Sequence, residues 1–223
     1  EFVNVDKTVL FGFGNIKGVG NSGKEIIQRR EHSGPFTSMK DFISRSVSYA
    51  GCPSSIDKSS IITLVESGAF DAFCHGNRQS LLNGIEDLLQ SAKKFKEQKM
   101  KVANREKEAQ KLQSGKDIDE KALKKATNAV QSAIHTMQKY KSLYDEHVFL
   151  MLHEDKSKKL LKEYELLGAY VTGSPLDEYE ESIQEVSNVT CIDDISKENT
   201  KITICGMVSG LRILQRKSDG RPF

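Results

Sequence analysis

The residues of this 223-residue chain with the most to offer chemically are two glycines and the cations around them. Ile16-Lys-Gly-Val-Gly-Asn-Ser-Gly-Lys-Glu-Ile-Ile27 sets Gly18 and Gly20 between apolar Ile16, Val19, Ile26 and Ile27. Glycines so spaced let a tight turn approach another molecule closely. A helix opening at Asn21 or Ser22 turns the N–H groups of Gly18, Val19, Gly20, Asn21 and Ser22 outward. Free amides at the positive end of a helix suit a phosphate oxygen. Lys17, Lys24, Arg29 and Arg30 add positive charge. Such a device holds a sugar-phosphate backbone and reads no bases. The same spacing also serves an ordinary helical hairpin that uses glycine only to turn, and the loop carbonyls are equally compatible with a monovalent cation. A dinucleotide loop fits poorly, because Gly12, Gly14 and Gly18 do not reproduce G-x-G-x-x-G and no βαβ pattern flanks them.

The other reactive side chains suit quieter roles. Asp117-Ile-Asp119 and Asp193-Asp194 are the local carboxylate candidates for a centre holding two Mg²⁺ ions about 4 Å apart. The first pair precedes an expected helix, where acids favour the dipole, and the second lies in a connector. His32, His75, His135, His147 and His153 show no metal-ligand spacing. Tyr170, Thr172 and Ser174 have no evident paired base. No catalytic, metal or cofactor site is therefore expected in this segment. Cys52, Cys74, Cys191 and Cys205 form no C-x-x-C pair and read as thiols of a reducing compartment. Lys93, Lys94, Lys96, Lys99, Lys101, Arg105 and Lys107 form a basic run diluted by Glu97, Glu106 and Glu108. A solvated helix face explains that run more simply than contact with nucleic acid.

Positioning these groups requires a core, and 37% hydrophobic residues can fill one, which excludes wholesale disorder. The length suits one to two domains. With Lys+Arg 33 against Asp+Glu 31, the net charge of +2 says little about partners; where the charge sits matters more. The longest uncharged apolar run, Val148 to Leu152, is too short to span a bilayer, and no secretory signal opens the chain. A cytoplasmic protein with no membrane association is expected.

Four stretches differ in texture. Residues 1–80 hold short elements and glycine turns, with a strand-like run at Thr8 to Phe13, a helix to about Glu31 and breakers at His32-Ser-Gly-Pro35. Ser38 and Asp57 are positioned as helix caps, and Gly68 as a helix stop. The result is two successive helix–turn–helix units. Residues 81–160 read as long charged helices broken at Ser114-Gly115. Leu123, Val130, Met137 and Tyr144 recur every seventh position with Ala126, Ala133 and Tyr140 interleaved, a seam for an antiparallel hairpin. Leu143-Tyr144 and Val148 to Leu152 are expected in the core or the seam. Residues 161–200 are a connector. Residues 201–223 turn β-like, with a hairpin turn at Ser218-Asp-Gly220. So short a return strand reads as a piece of a longer chain, cut where a β-domain begins.

The order of blocks resembles one family closely. Phe11-Gly-Phe-Gly-Asn-Ile-Lys-Gly-Val-Gly20 is similar to the first helix-hairpin-helix of the bacterial replicative DNA polymerase III alpha subunits, the C-family polymerases. Ser33-Gly-Pro-Phe-Thr-Ser-Met-Lys-Asp-Phe42 resembles the segment that follows it there. Asp57 to Asp71, ending Ser-Gly-Ala-Phe-Asp, resembles the second hairpin. Tyr164-Glu-Leu-Leu-Gly-Ala-Tyr-Val-Thr-Gly-Ser-Pro-Leu-Asp177 resembles the family's connector signature, with Ser174 where histidine is usual. Ile204 to Gly210 and Lys217 to Arg221 look like the opening strands of its OB-fold.

The resemblance implies a mainly α fold: a tandem helix-hairpin-helix domain, a long antiparallel helical hairpin insertion and a short C-terminal β segment of a partial OB-fold. It implies a segment that grips double-stranded or primer-template DNA through sequence-independent phosphate contacts during replication. Lys17, Gly18, Val19, Gly20, Asn21, Ser22 and Lys24 would carry the contacts. The parent would be a nucleotidyltransferase whose Mg²⁺-binding aspartates lie upstream, with other replisome subunits as partners. The helical region near 91–160 is longer than the family pattern, and no Gln-x-x-Leu-Phe match supports sliding-clamp binding. The rival reading is an accessory or protein-interaction module that docks a partner through the long hairpin.

Overall fold

Short polar side chains set where most helices begin. In the computed structural model, Ser38 accepts the N–H of Asp41 at 3.1 Å and opens α2 (Met39–Ser46). Asp57 accepts from Ser60 at 2.7 Å to open α3 (Lys58–Glu66), and Asn77 from Ser80 at 3.0 Å to open α5 (Arg78–Gln113). Asp119 caps α6 (Glu120–Asp145) and Asp155 caps α7 (Lys156–Leu167) in the same way. Each bond satisfies an N–H that the helix itself leaves free. α1 (Gly20–Ser33) opens after Val19 with no side-chain cap, as do two shorter helices, Asp71–Cys74 and Glu180–Glu185. The structure describes residues 3–5, 8–49, 53–114, 119–186, 189–190 and 201–208.

The chain divides into two units, Glu1–Ala169 and Tyr170–Phe223. The first opens with an antiparallel pair, β1 (Val3–Val5) and β2 (Thr8–Leu10), in which Val3 faces Leu10 and Val5 faces Thr8. The expected strand-like run therefore stops at Leu10, and Phe13–Asn15 instead form a 3₁₀ turn. The core lies between α1, α2, α3 and the first half of α5. Leu81, Ile85, Leu88 and Ala92 recur at helical spacing and are buried against Ile26, Phe42, Ile43, Ile61 and Leu64. Phe36, Phe42, Phe70 and Phe73 form a chain of ring contacts with centroids 4.7 to 5.9 Å apart.

One ion cluster fixes the second hairpin. Arg78, 3% exposed, donates from Nε and Nη2 to the two oxygens of Asp71 in α4 (Asp71–Cys74), at 2.8 and 2.7 Å. Its Nη1 donates to Glu66 O at 2.8 Å and Nη2 to Glu163 of α7, also at 2.8 Å. Glu163 is fully buried. Burial alone would lower the arginine pKa; the bonds and charges of Asp71 and Glu163 outweigh it, and the guanidinium is held above its usual range.

Beyond Ala92, α5 and α6 continue as an arm. Lys94 Nζ sits 5.5 Å from the Tyr140 ring centre, and Arg105 donates to Ala129 O at 2.8 Å, so rising positions on α5 meet falling positions on α6. This is the expected antiparallel hairpin, with Val102 and Ala133 buried along its seam. Tyr144 donates to Lys40 O at the base, and burial raises its pKa to about 12.

Regular helix ends at Asp145, and Val148 to Leu152, expected in the core or the seam, lie in irregular chain that runs along α5. Leu152 N–H donates to Ser80 Oγ at 2.9 Å, and Asn77 donates to Leu152 O at 2.7 Å. Phe149 packs where a Cβ on Gly84 would stand 2.8 Å away. Phe149 packs against the core as expected, whereas Val148, Leu150 and Met151 are exposed, since a single segment lying on one helix covers only part of its side chains.

The second unit contains a 3₁₀ turn at Asp177–Tyr179, α8 (Glu180–Glu185) and an isolated parallel bridge between Val189 and Thr203. Ser174 N–H donates to Asp177 at 2.8 Å, a local turn contact. Ser218-Asp-Gly220 and most of the expected OB-fold strands lie outside the described residues, as do Cys52 and Cys191. Cys74 and Cys205 are free thiols.

Breaking a buried ion pair by deleting one partner costs about 3–5 kcal/mol. Glu163→Ala is expected to lose that much stability by urea unfolding. Lys162→Ala, which removes an exposed pair with Glu165, should lose less than about 1 kcal/mol. Similar losses in both variants would contradict the anchoring role of Glu163.

Candidate nucleic-acid interface

The Ile16 to Gly20 turn is shaped by apolar anchors and left-handed glycines. Ile16 and Val19 are buried beneath it, while Lys17, Gly18, Gly20, Asn21 and Lys24 are exposed. Gly18 has φ +88° and Gly20 φ +45°, values that side-chain-bearing residues rarely adopt. Nothing lies within 4 Å of the position a Cβ on Gly20 would take. The turn therefore faces open space at Gly20, while a Cβ on Gly18 would stand 3.6 Å from Thr63 Oγ1.

Its amides divide into two sets. Lys17 N–H donates to Leu166 O at 3.2 Å, Val19 N–H to Ile16 O at 3.4 Å and Ser22 N–H to Val19 O at 3.0 Å. The N–H groups of Gly18, Gly20 and Asn21 have no acceptor among the described residues. Three unpaired donors at the start of a 14-residue helix, with the Lys17 and Lys24 ammonium groups alongside, can donate to the oxygens of an anion. Of the seven residues singled out in the sequence, five thus lie on one exposed surface. Val19 is 1% and Ser22 4% exposed, and both act beneath it.

Ser22 reads as a helix cap in sequence, yet its hydroxyl turns inward. It donates to Ser55 O at 2.6 Å and lies 2.9 Å from Ser60 Oγ at the start of α3. Glu25, one turn later, takes bonds from Ser54 Oγ at 2.8 Å, Ser55 N–H at 2.6 Å and Arg29 Nε at 2.8 Å. Burial opposes ionisation of Glu25, but the bonds from Ser55, Arg29 and Ser54 outweigh it and hold its pKa at about 2. These contacts lash α1 to the loop before α3. Sequence reasoning missed Glu25, Ser54, Ser55 and Leu166, and nothing in their local pattern marks them.

The second hairpin uses its glycine differently. Gly68 has φ +86°, but a Cβ there would stand 2.3 Å from Arg78 Nη2. Its own N–H donates to Val65 O at 3.1 Å, and Ala69 N–H to Leu64 O at 3.0 Å. One face of this loop is filled by the buried arginine.

A helix-hairpin-helix motif model matches residues 1–81. The DNA polymerase III alpha subunit of Helicobacter pylori is 30% identical over 231 residues, covering 100% of this chain and 16% of that protein. The subunit of Buchnera aphidicola is 27% identical over 224 residues, covering 99% of this chain and 16% of its own length. That of Chlamydia pneumoniae is 31% identical over 197 residues, 85% of this chain and 13% of the relative. The chain is homologous to a segment of the DNA polymerase III alpha subunit. It spans about one-sixth of the length of these relatives.

No three His, Cys, Asp or Glu side chains converge among the described residues. Asp119 accepts the N–H groups of Lys121 and Ala122 as a helix cap. Asp117, Asp193 and Asp194 lie outside the described residues. No helix among the described residues is long and apolar enough to cross a membrane.

The depressed Glu25 pKa carries a pH signature. Its folded value of about 2 lies below the ordinary 4.5, so the stability it contributes is fully present above about pH 4.5 and lost as pH falls toward 2. Glu25→Gln is therefore expected to melt below the wild-type chain near neutral pH, with the gap closing toward about pH 2. A gap that stays constant across that range would contradict the network.

Proposed function

We propose that this segment grips duplex DNA, in the parent polymerase the primer–template product, through sequence-independent contacts to phosphates. The observation that carries the reading is the exposed set of unpaired Gly18, Gly20 and Asn21 amides flanked by Lys17 and Lys24. An amide donates to a phosphate oxygen without reference to the base, so such contacts position a duplex and do not read it. Val19 and Ser22 hold the turn from below, one in the core and one on Ser55 and Ser60. With Gly68 packed against Arg78, the first hairpin is the principal contact and the second supports it.

The homology extends this reading to the whole protein. The parent transfers deoxynucleotides to a primer at a Mg²⁺-dependent centre formed outside this segment, works in the cytoplasm and assembles with other replisome subunits. In this reading residues 1–80 form the DNA-binding domain, 81–160 the helical insertion, 161–200 the connector and 201–223 the start of an OB-fold.

Fluorescence anisotropy with duplexes of unrelated sequence tests the proposal. The 223-residue chain is expected to bind them alike, with affinity falling steeply between about 50 and 200 mM salt. Gly20→Asp places a carboxylate among the free amides, and Lys24→Gln removes an exposed charge while leaving the fold intact. Each should weaken binding to every duplex by a similar factor. A flat salt response, or unchanged affinity in Lys24→Gln and in a folded Gly20→Asp, would overturn the assignment.

A further inference from the structure

The chain's positive charge is concentrated in the arm. Residues 92–145 carry 14 Lys and Arg against 7 Asp and Glu, whereas the remaining residues carry 19 against 24. A chain of net charge +2 is thus a basic arm of +7 joined to an acidic remainder of −5.

The charge on α5 is also sorted by face. At roughly 100° per residue, Lys93, Lys96, Lys107 and Lys111 fall within a sector about 100° wide. Met100, Ala103, Asn104 and Ser114 share that sector, and no carboxylate does. Glu97 and Glu108 lie outside it, toward the side of Lys94, Lys101 and Arg105, where Lys94 and Arg105 turn to α6. Lys93, Lys107 and Lys111 are exposed and have no carboxylate partner among the described residues. A face that is merely solvated has no need to exclude acids.

The row leads from the hairpin. Lys96 donates to Ser44 O and, with Asn21, Lys24 and Arg29 of α1 and Arg45 of α2, lines a groove of about 850 Å³. Asn21 and Lys24 are themselves hairpin residues, so the groove, which Glu25 also lines, joins the exposed turn to Lys96 of the row. From Lys93 to Lys111 the helix rises about 27 Å, the length of about eight base pairs.

We infer that this face of α5 is a second phosphate track, along which a duplex held at the hairpin runs outward over the arm. The inference rests on the duplex-binding reading above. Its contacts are ammonium groups on solvent-exposed stems, so they add salt-dependent affinity and no base preference. They also make affinity depend on duplex length, because a short duplex seated on the hairpin cannot reach Lys107 and Lys111.

The test compares the 223-residue chain with its Lys107→Gln/Lys111→Gln variant, keeping Lys96 because it ties α5 to Ser44 and Lys93 because it stands one turn from Lys96 at the hairpin end of the row. Anisotropy is read on duplexes of roughly 10 and roughly 30 base pairs across about 50 to 200 mM salt. On the long duplex the variant is expected to lose about tenfold or more at low salt, with the slope of log K against log salt reduced by about 0.9 per lost contact. On the short duplex the two proteins should match. An unchanged long-duplex slope, or equal losses on both lengths, overturns the track while leaving the hairpin reading standing. Failure of the unmodified chain to bind either duplex overturns the hairpin reading and the track with it.

Discussion

The first unit depends on taking one guanidinium out of water. A buried ion costs several kcal/mol unless its hydrogen-bonding capacity is met. Arg78 meets it with acceptors on three separate elements: the end of α3 through Glu66, α4 through Asp71 and α7 through Glu163. Arg78 itself stands in the first turn of α5. Four helices are therefore fixed at one point by bonds that specify direction, which apolar packing alone does not. The cost falls on the second hairpin. Its glycine leaves room for the guanidinium, so the loop that could have offered amides outward is closed on that side. Two loops of similar sequence thus take different parts, one open and one a socket.

The open loop gains from the closed one. Glu163 and Leu166 lie on one turn of α7: the first is held by Arg78, and the second accepts the Lys17 N–H at the hairpin. On the other side, Ser22 and Glu25 tie α1 to residues 54–60. The turn that presents Gly18, Gly20 and Asn21 is thereby braced from both flanks. Donors already fixed in direction lose little freedom when an anion arrives, which is where pre-organisation contributes to affinity.

What the sequence disclosed follows the range of the interactions. Capping bonds act over three residues, and Ser38, Asp57 and Asp119 stand where their types suggest. The seam of α6 repeats locally, so the arm and its antiparallel sense were legible. Ser22 was misleading because a serine that bonds laterally to Ser60, 38 residues away, has the same local spelling as a cap. Val148, Leu150 and Met151 were misleading for a related reason, although Phe149 between them packs on the core as expected. An apolar run suits a helix seam, but its backbone is captured by Asn77 and Ser80, more than 70 residues upstream. Nothing local marks Arg78 as buried, because its partner Glu163 lies 85 positions later. The hairpin loop itself was legible because its glycines and apolar anchors are contiguous; its supports were not, because they are distant.

The arm shows what sequence charge can and cannot mean. An excess of seven positive charges over residues 92–145 is self-repelling, and within a Debye length of about 8–10 Å salt does little to remove it. The seam offsets this locally, with Val102 and Ala133 buried, Lys94 over Tyr140 and Arg105 on a carbonyl. None of these contacts neutralises Lys93, Lys107 or Lys111. A protein selected only for stability would scatter carboxylates among them, as it does with Glu97 and Glu108 along the flank of the same row. Keeping one face free of acids leaves repulsion that a polyanion lying along it would relieve, so the arrangement is costly for the free chain and favourable for the bound one.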